Sequence, residues 1–267
     1  MGSSGKGQFA VVTGASSGIG LELAKLFTAD GYDLIVAAEA NEIVVVAEGL
    51  QQSGVEAEAV QVDLATDTGV DELYRRIQAA GRPVDAVCLN AGIGAGGAFA
   101  TDTDLAEELK LIDLNVRSTV HLAKHVVRDM VARDEGRILF TSSIASTMPG
   151  AFQAVYNASK SFVQSFALAL RNELKDTGVS ITSLMPGPVE TEFFERADML
   201  DTKVGASDKD DPADVARDGF EALMAGDERV VSHSASTKAQ ARAGRLMPDS
   251  AKAEMHRKMA EPGSGKK

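Results

Sequence analysis

The chain has 267 residues, of which 44% are apolar, and carries 39 acidic against 27 basic side chains for a net charge of −12. That balance argues against nucleic acid, which needs a basic stripe, and against an anionic membrane surface, so solubility is its simplest meaning. The length suits one large α/β domain and no glycine- or proline-rich linker divides it, so a single domain over residues 1–267 is expected.

The opening "MGSSGKGQ" lacks the apolar core of a secretory leader, and no apolar run is long enough to span a bilayer; a cytoplasmic protein is expected. "FAVVT" (Phe9–Thr13) reads as a buried strand, running into "TGASSGIG" (Thr13–Gly20) and then the helical "LELAKLFTADG". Glycines in that setting fit a phosphate cradle: Gly14 permits the tight turn, Gly18 lets backbone approach a pyrophosphate, and Gly20 lets helix pack on strand. Ser16, Ser17 and Ile19 complete the loop, and the helix start adds free N–H groups and a partial positive charge. On this stretch alone, an ordinary strand-to-helix turn competes.

"DLIVAA" from Asp33 is a second strand, followed by "EIVVVAEGLQQSG", a helix closed by Gly54, although Val44–Val46 suit a strand equally well. "EAEAVQVDL" alternates as a third strand and ends on Asp63 and Leu64, where the Asp63 carboxylate could accept from an adenine amine. "TGVDELYRRIQAAG" is helical and "VDAVCLN" is a fourth strand. Its Cys88 is the only cysteine, which excludes an internal disulfide, suits a reducing compartment and reads as a buried thiol. "NAG" (Asn90, Ala91, Gly92) adds another backbone turn at the strand end.

Helices follow over Leu105–Leu111 and Asp113–Arg133. His121 and His125 stand four apart there, but no third ligand lies nearby in sequence and no "HExxH" glutamate is present, so surface or interface histidines are expected and no metal. "GRILFTS" is strand five, Val155–Thr177 a long helix, "VSITSLMPG" strand six, and a helix capped by Asp211 starts at Pro212. "RVVSH" (Arg229–His233) is a last strand. Met255 and Met259 suit a C-terminal packing helix, and "EPGSGKK" reads as a disordered tail. This alternation predicts an α/β, Rossmann-type doubly wound parallel sheet of about seven strands with helices on both faces. Ligands then sit beyond the carboxyl ends of the strands.

Within the long helix, "YNASK" puts Tyr156 and Lys160 on one face. Alone, that pair is more often a solvated face than a catalytic one. With "TGASSGIG", "NAG", a serine ending strand five and "YNASK" in this order, however, the chain resembles the short-chain dehydrogenase/reductase family over roughly residues 8 to 235. "PGPVET" (Pro186–Thr191) matches the family's proline-glycine turn.

The resemblance implies a catalytic set of Asn115 in "DLNV", Ser143, Tyr156 and Lys160, with Ser143 thirteen residues before Tyr156. It implies cofactor contacts at Pro186, Gly187, Val189 and Thr191, the last on the nicotinamide carboxamide. Tyr156 would be general acid/base, Ser143 would polarise the substrate oxygen, Lys160 would bind ribose hydroxyls, and Asn115 would order a water linking Lys160 to solvent. An ammonium about 4 Å from the phenol interacts by roughly 4 kcal/mol at a dielectric near 20, about three pK units, which would bring Tyr156 toward neutrality.

NADP-preferring relatives carry a basic residue near Glu39 or in the glycine loop. Here Glu39, Ser16 and Ser17 favour NAD(H), with NADP(H) the alternative, although NAD-dependent relatives place an acid one position earlier, at Ala38. "GIGAGGAF", "IASTMPGAFQ" and "EFFERADML" should line a substrate pocket, offering Phe99, Met148, Phe152, Phe193, Phe194 and Met199 to a moderately apolar alcohol or ketone. Residues 192–211 would form a lid and 236–267 a C-terminal helix with a flexible tail. A homodimer or homotetramer follows from the resemblance. The rival readings are an epimerase or dehydratase on the same scaffold, and a dinucleotide sensor without turnover.

Overall fold

Strands β1 (Phe9–Thr13), β2 (Asp33–Ala38), β3 (Ala57–Gln61), β4 (Ala86–Leu89), β5 (Gly136–Thr141), β6 (Val179–Met185) and β7 (Arg229–Val231) form one sheet in the order β3-β2-β1-β4-β5-β6-β7, every neighbouring pair parallel. The computed structural model describes residues 7–232, 234, 237–238 and 247–266. His233, at the end of the expected last strand, lies outside them.

Side chains alternate between two apolar layers, as the period of a strand requires. Val11, Ile35, Val87, Ile138 and Phe140 face α3 (Asp67–Ala79), α5 (Ser118–Ala132) and α6 (Ala154–Glu173). Val12, Leu34, Val36, Cys88 and Leu139 face α1 (Gly18–Ala29), α2 (Glu42–Gln51) and α8 (Pro212–Ala225). Each such burial contributes roughly 1.5–3 kcal/mol, so the sheet and not its loops sets the frame. No helix among the described residues is long and apolar enough to cross a membrane.

The ambiguous Val44–Val46 segment is helical. In α2, Ile43, Ala47 and Leu50 are buried at helical spacing while Val44 and Val45 are exposed; a strand would have put neighbours on opposite faces. Asp211 caps α8, accepting from Ala213 N at 2.8 Å, and Gly226 closes it in the left-handed region at φ 72°. The long helix α6 stops at Glu173, short of the expected Thr177.

Helix α4 (Leu105–Ile112) is separated from α5 by a π-helical turn, Asp113–Arg117, that carries Asn115. A short α7 (Phe193–Arg196) opens the lid segment, and α9 (Asp249–Ala260) closes the described chain. The tail after α9 is docked rather than disordered. Gly265 N donates to Asp201 O at 2.8 Å, Gly263 N to the Asp201 carboxylate at 2.7 Å, and Lys203 N to Ser264 Oγ at 3.0 Å. Glycine and serine there leave backbone groups open to pair with the lid, a role that composition alone does not distinguish from disorder.

Candidate active site

After β1 the chain moves outward to β2 and β3, then returns to β4 on the other side of β1, so the loops leaving β1 and β4 diverge and open a crevice at their carboxyl ends. Thr13 ties the two strand ends together. Its hydroxyl donates to Cys88 O at 3.2 Å and accepts from Asn90 N at 2.9 Å and Ala91 N at 3.1 Å. Asn90 in turn donates from Nδ2 to Thr13 O at 3.1 Å and accepts from Thr141 Oγ1 at 3.0 Å, which brings β5 into the same frame.

The glycine loop fits a pyrophosphate. Gly14 is left-handed at φ 66°, and a Cβ on it would stand 2.8 Å from Ala91 Cα; a Cβ on Gly20 would stand 2.1 Å from Gly14 O. Gly20 therefore serves the packing of α1 and does not line the cleft. Ser17 begins α1 in an extended conformation without a side-chain cap, which leaves the first-turn N–H groups open to an anion. Ser16, Ser17, Gly18 and Ile19 form one wall; Asn90, Ala91 and Gly92 form the floor; Pro186, Gly187, Val189 and Thr191 face them across a cleft of about 260 Å³.

Three expected contacts lie off this wall. Asp63 spends its carboxylate on the turn after β3, accepting from Ala65 N at 2.9 Å, and Leu64 is buried in the core. Glu39 is exposed at the end of β2, where Lys110 Nζ of α4 comes within 3.4 Å of both its oxygens. Lys110 was not foreseen, since nothing local marks a residue 71 positions away as its partner.

Ser143, Tyr156 and Lys160 converge on the cleft, and all three are buried. Ser143 caps a one-turn 3₁₀ helix, accepting from Ala145 N at 3.1 Å, donates to Pro186 O at 3.4 Å, and has the Tyr156 phenol as its neighbour across the cleft. Lys160 Nζ donates to Thr141 O at 3.0 Å and stands 6.0 Å from the centre of the Tyr156 ring. Asn115 does not line the cleft. It exchanges two hydrogen bonds of 2.9 Å with the Ile93 backbone and donates to Ser159 Oγ at 3.1 Å. A Cβ on Gly92 would nevertheless meet Asn115 Oδ1 at 3.0 Å and Lys160 Nζ at 3.2 Å, so the two side chains share one small volume beneath that glycine. Ser159 sits inside "YNASK" and was legible there only as a filler position.

Burial pushes the Tyr156 phenol up to about 12, with the neighbouring Ser143 hydroxyl pulling the other way, and pushes Lys160 down to about 8. For the tyrosine this is the opposite of the shift that an ammonium at about 4 Å would produce by Coulomb attraction; the ammonium turns instead to Thr141 O, and desolvation dominates both groups.

The roof comes from α7 and the residues around it, in the segment expected to form a lid. The Phe193 ring centre is 5.2 Å from that of Tyr156, and a Cβ on Gly94 would stand 2.4 Å from Phe193 Cζ. Met148, Phe193 and Phe194 line the cleft as expected. Phe99 is exposed and Met199 is buried against Gly96. Phe152, left-handed at φ 64°, packs under Arg257 at 5.0 Å. Gln153, from the expected segment "IASTMPGAFQ", lines the cleft, and His256 and Met259 line it from α9 without having been foreseen. His256 Nδ1 lies 2.9 Å from Ala151 O, which holds α9 to the loop before α6.

Residues 8–199 match the family model described as short chain dehydrogenase. Sulfoacetaldehyde reductase 2 of Chromohalobacter salexigens is 34% identical over 185 residues, which covers 68% of this chain and 73% of the relative. A short-chain dehydrogenase from Sphingobium yanoikuyae, solved in complex with NADPH, superposes with a TM-score of 0.79 at 26% identity over 89% of this chain and 93% of that one. A Burkholderia phymatum short chain dehydrogenase/reductase in complex with NAD gives 0.83 at 24% identity over 91% and 94%, a likeness of fold.

Proposed function

Since this chain belongs to the short-chain dehydrogenase family, whose members are oxidoreductases that bind a nicotinamide dinucleotide, we propose that it interconverts a secondary alcohol and a ketone or aldehyde, with Tyr156 as general acid and base. The observation that carries this reading is the convergence of buried Ser143, Tyr156 and Lys160 on one cleft, Tyr156 and Lys160 standing one helical turn apart. The glycine loop and the Pro186–Thr191 turn would hold the dinucleotide, which when bound would supply or accept the hydride.

The protein's own residues handle the oxygen and its proton. Ser143 Oγ holds the substrate oxygen by a hydrogen bond where negative charge develops. Tyr156, held near 12, keeps its proton at neutral pH and so stands ready to donate it to the forming alkoxide. Lys160 binds ribose hydroxyls and, through Asn115, communicates with solvent. The apolar roof of Phe193, Phe194 and Met148 favours a moderately apolar small molecule, and NAD(H) is the favoured cofactor. Exposed Leu105, Leu109 and Phe162 on α4 and α6 support assembly into a homodimer or homotetramer.

Replacing the tyrosine tests the assignment. Tyr156→Phe should bind reduced dinucleotide as the wild type does, by fluorescence titration, and lose at least about a hundredfold in kcat, the lower range for a positioned acid. Near wild-type turnover would overturn it. A screen of ketones and secondary alcohols, followed at the reduced-nicotinamide absorbance, separates net redox chemistry from an epimerase or a silent sensor.

A further inference from the structure

Helices α3 and α5 lie side by side on one face of the sheet, and their seam carries a cluster that the chemistry of the cleft does not use. His121 and His125 stand one turn apart on α5, and Asp71 comes from α3; one ligand atom of each lies within 4.8 Å of the others. In sequence only the histidine pair is visible, because its third member stands fifty residues before His121 and arrives only through helix packing.

The surroundings are those of a ligand set. His121 Nε2 is 3.1 Å from Asp71 Oδ1, while its Nδ1 lies 3.8 Å from Asp67 Oδ1, so a second carboxylate stands behind the imidazole and adds negative charge there. His125 lies flat against Tyr74, ring centres 4.1 Å apart and 17° from parallel, and the Tyr74 hydroxyl donates to Asp129 at 2.9 Å. Among the described residues His125 has ring contacts but no hydrogen-bonded or charged partner. An ion pair between His121 and Asp71 accounts for one contact and leaves the aim of His125 unexplained.

The geometry points to a zinc-class metal site bridging α3 and α5, with His121, His125 and Asp71 as protein ligands and water completing a tetrahedral shell. Zinc bonds of about 2.0–2.2 Å place ligand atoms roughly 3.4 Å apart, so the widest spacing must close by about an ångström or more, a movement within reach of side chains at a helix surface. Two imidazoles and one carboxylate suit zinc and its neighbours; calcium and magnesium call for oxygen ligands throughout. Asp67 and Asp129 add negative charge beside the site, offset in part by Arg117, which pairs with Asp67. None of the three ligands lines the cleft, so the ion would fasten two helices together rather than join the hydride step.

The test uses the full chain after chelator treatment. Titration with Zn²⁺ by calorimetry should give one ion per chain, and Co²⁺ in its place should give the visible bands of a tetrahedral centre. His121→Gln/His125→Gln should abolish both signals, and Asp71→Asn should weaken Zn²⁺ binding at least tenfold. All variants should keep the wild-type circular dichroism and turnover. Zn²⁺ should raise Tm in the wild type and leave the double variant unmoved. No Zn²⁺ binding by the wild type overturns the proposal, as does a double variant with wild-type stoichiometry and affinity. An Asp71→Asn protein binding as tightly as the wild type reduces the site to a bare histidine pair and overturns it equally.

Discussion

Lys160→Met should stabilise the protein while abolishing its activity. Burial holds the Lys160 ammonium near 8 instead of its ordinary 10.5. At about 1.36 kcal/mol per pK unit, the charged side chain weighs on the folded state by roughly 3 kcal/mol at pH 7. Methionine keeps the apolar stem and removes the charge. It also removes the hydrogen bond to Thr141 O, worth about 1 kcal/mol, so the net gain is about 2 kcal/mol. For a chain of this size that corresponds to a rise in Tm of roughly 4–8 °C. The pH dependence identifies the cause. The folded value lies below the unfolded one, so between about 8 and 10.5 the unfolded chain binds more protons, and this group's contribution to stability rises with pH across that window. Urea midpoints should therefore show the variant ahead at pH 7 and level with the wild type by pH 10. A variant less stable at pH 7, or one with the same advantage at both pH values, would refute the reasoning that desolvation governs this lysine.

For the proposed reaction, burial of Tyr156 near 12 should make kcat/KM for alcohol oxidation climb with pH through the neutral range, because this parameter reports the enzyme before substrate binds and oxidation needs the phenolate. An oxidation profile already flat below pH 7 would contradict that value. Gly94→Ala places a methyl carbon 2.4 Å from Phe193 Cζ, the far end of a movable ring, so it should raise substrate KM about tenfold through the lid and lower stability by less than about 1 kcal/mol; unchanged KM would mean that the roof does not contact substrate. The NAD(H) preference proposed above rests on Glu39, and an exposed carboxylate opposes the two charges of a 2′-phosphate at about 4 Å by roughly 2 kcal/mol in water. Glu39→Gln should thus improve NADP(H) kcat/KM by up to about thirtyfold, less the share already cancelled by Lys110, and an unchanged ratio of cofactors would show that Glu39 faces away.

What was legible in sequence is what short segments determine by themselves. Short continuous apolar runs such as "FAVVT" and "DLIVAA", too short for helices and bounded by turn residues, suit strands covered on both faces, and alternating them with amphipathic stretches leaves a doubly wound sheet as the packing solution. The glycine loop is equally local: Gly14 and Gly20 approach within one turn, so their spacing carries the constraint. Tyr156 and Lys160 are one turn apart on α6, and their meeting at the cleft follows from the helix. Even the ambiguous valine run in α2 is settled by packing that a helical period would have suggested.

What was missed depends on distance along the chain and on desolvation. Lys110 reaches Glu39 across 71 residues, Asp71 reaches His121 across the α3–α5 seam, and His256 and Met259 enter the cleft from a helix beyond the matched segment 8–199. No periodicity signals any of these. The reversal at Tyr156 has the same origin. A spacing of four residues shows that a phenol and an ammonium can approach; it is silent on how much water the finished fold removes from both. That second quantity comes from Phe193, Gly94 and the α9 residues His256 and Met259, which lie far from "YNASK" in sequence and line the same cleft. In this fold the motif supplies the functional groups, and burial by residues remote from it raises the phenol and lowers the ammonium.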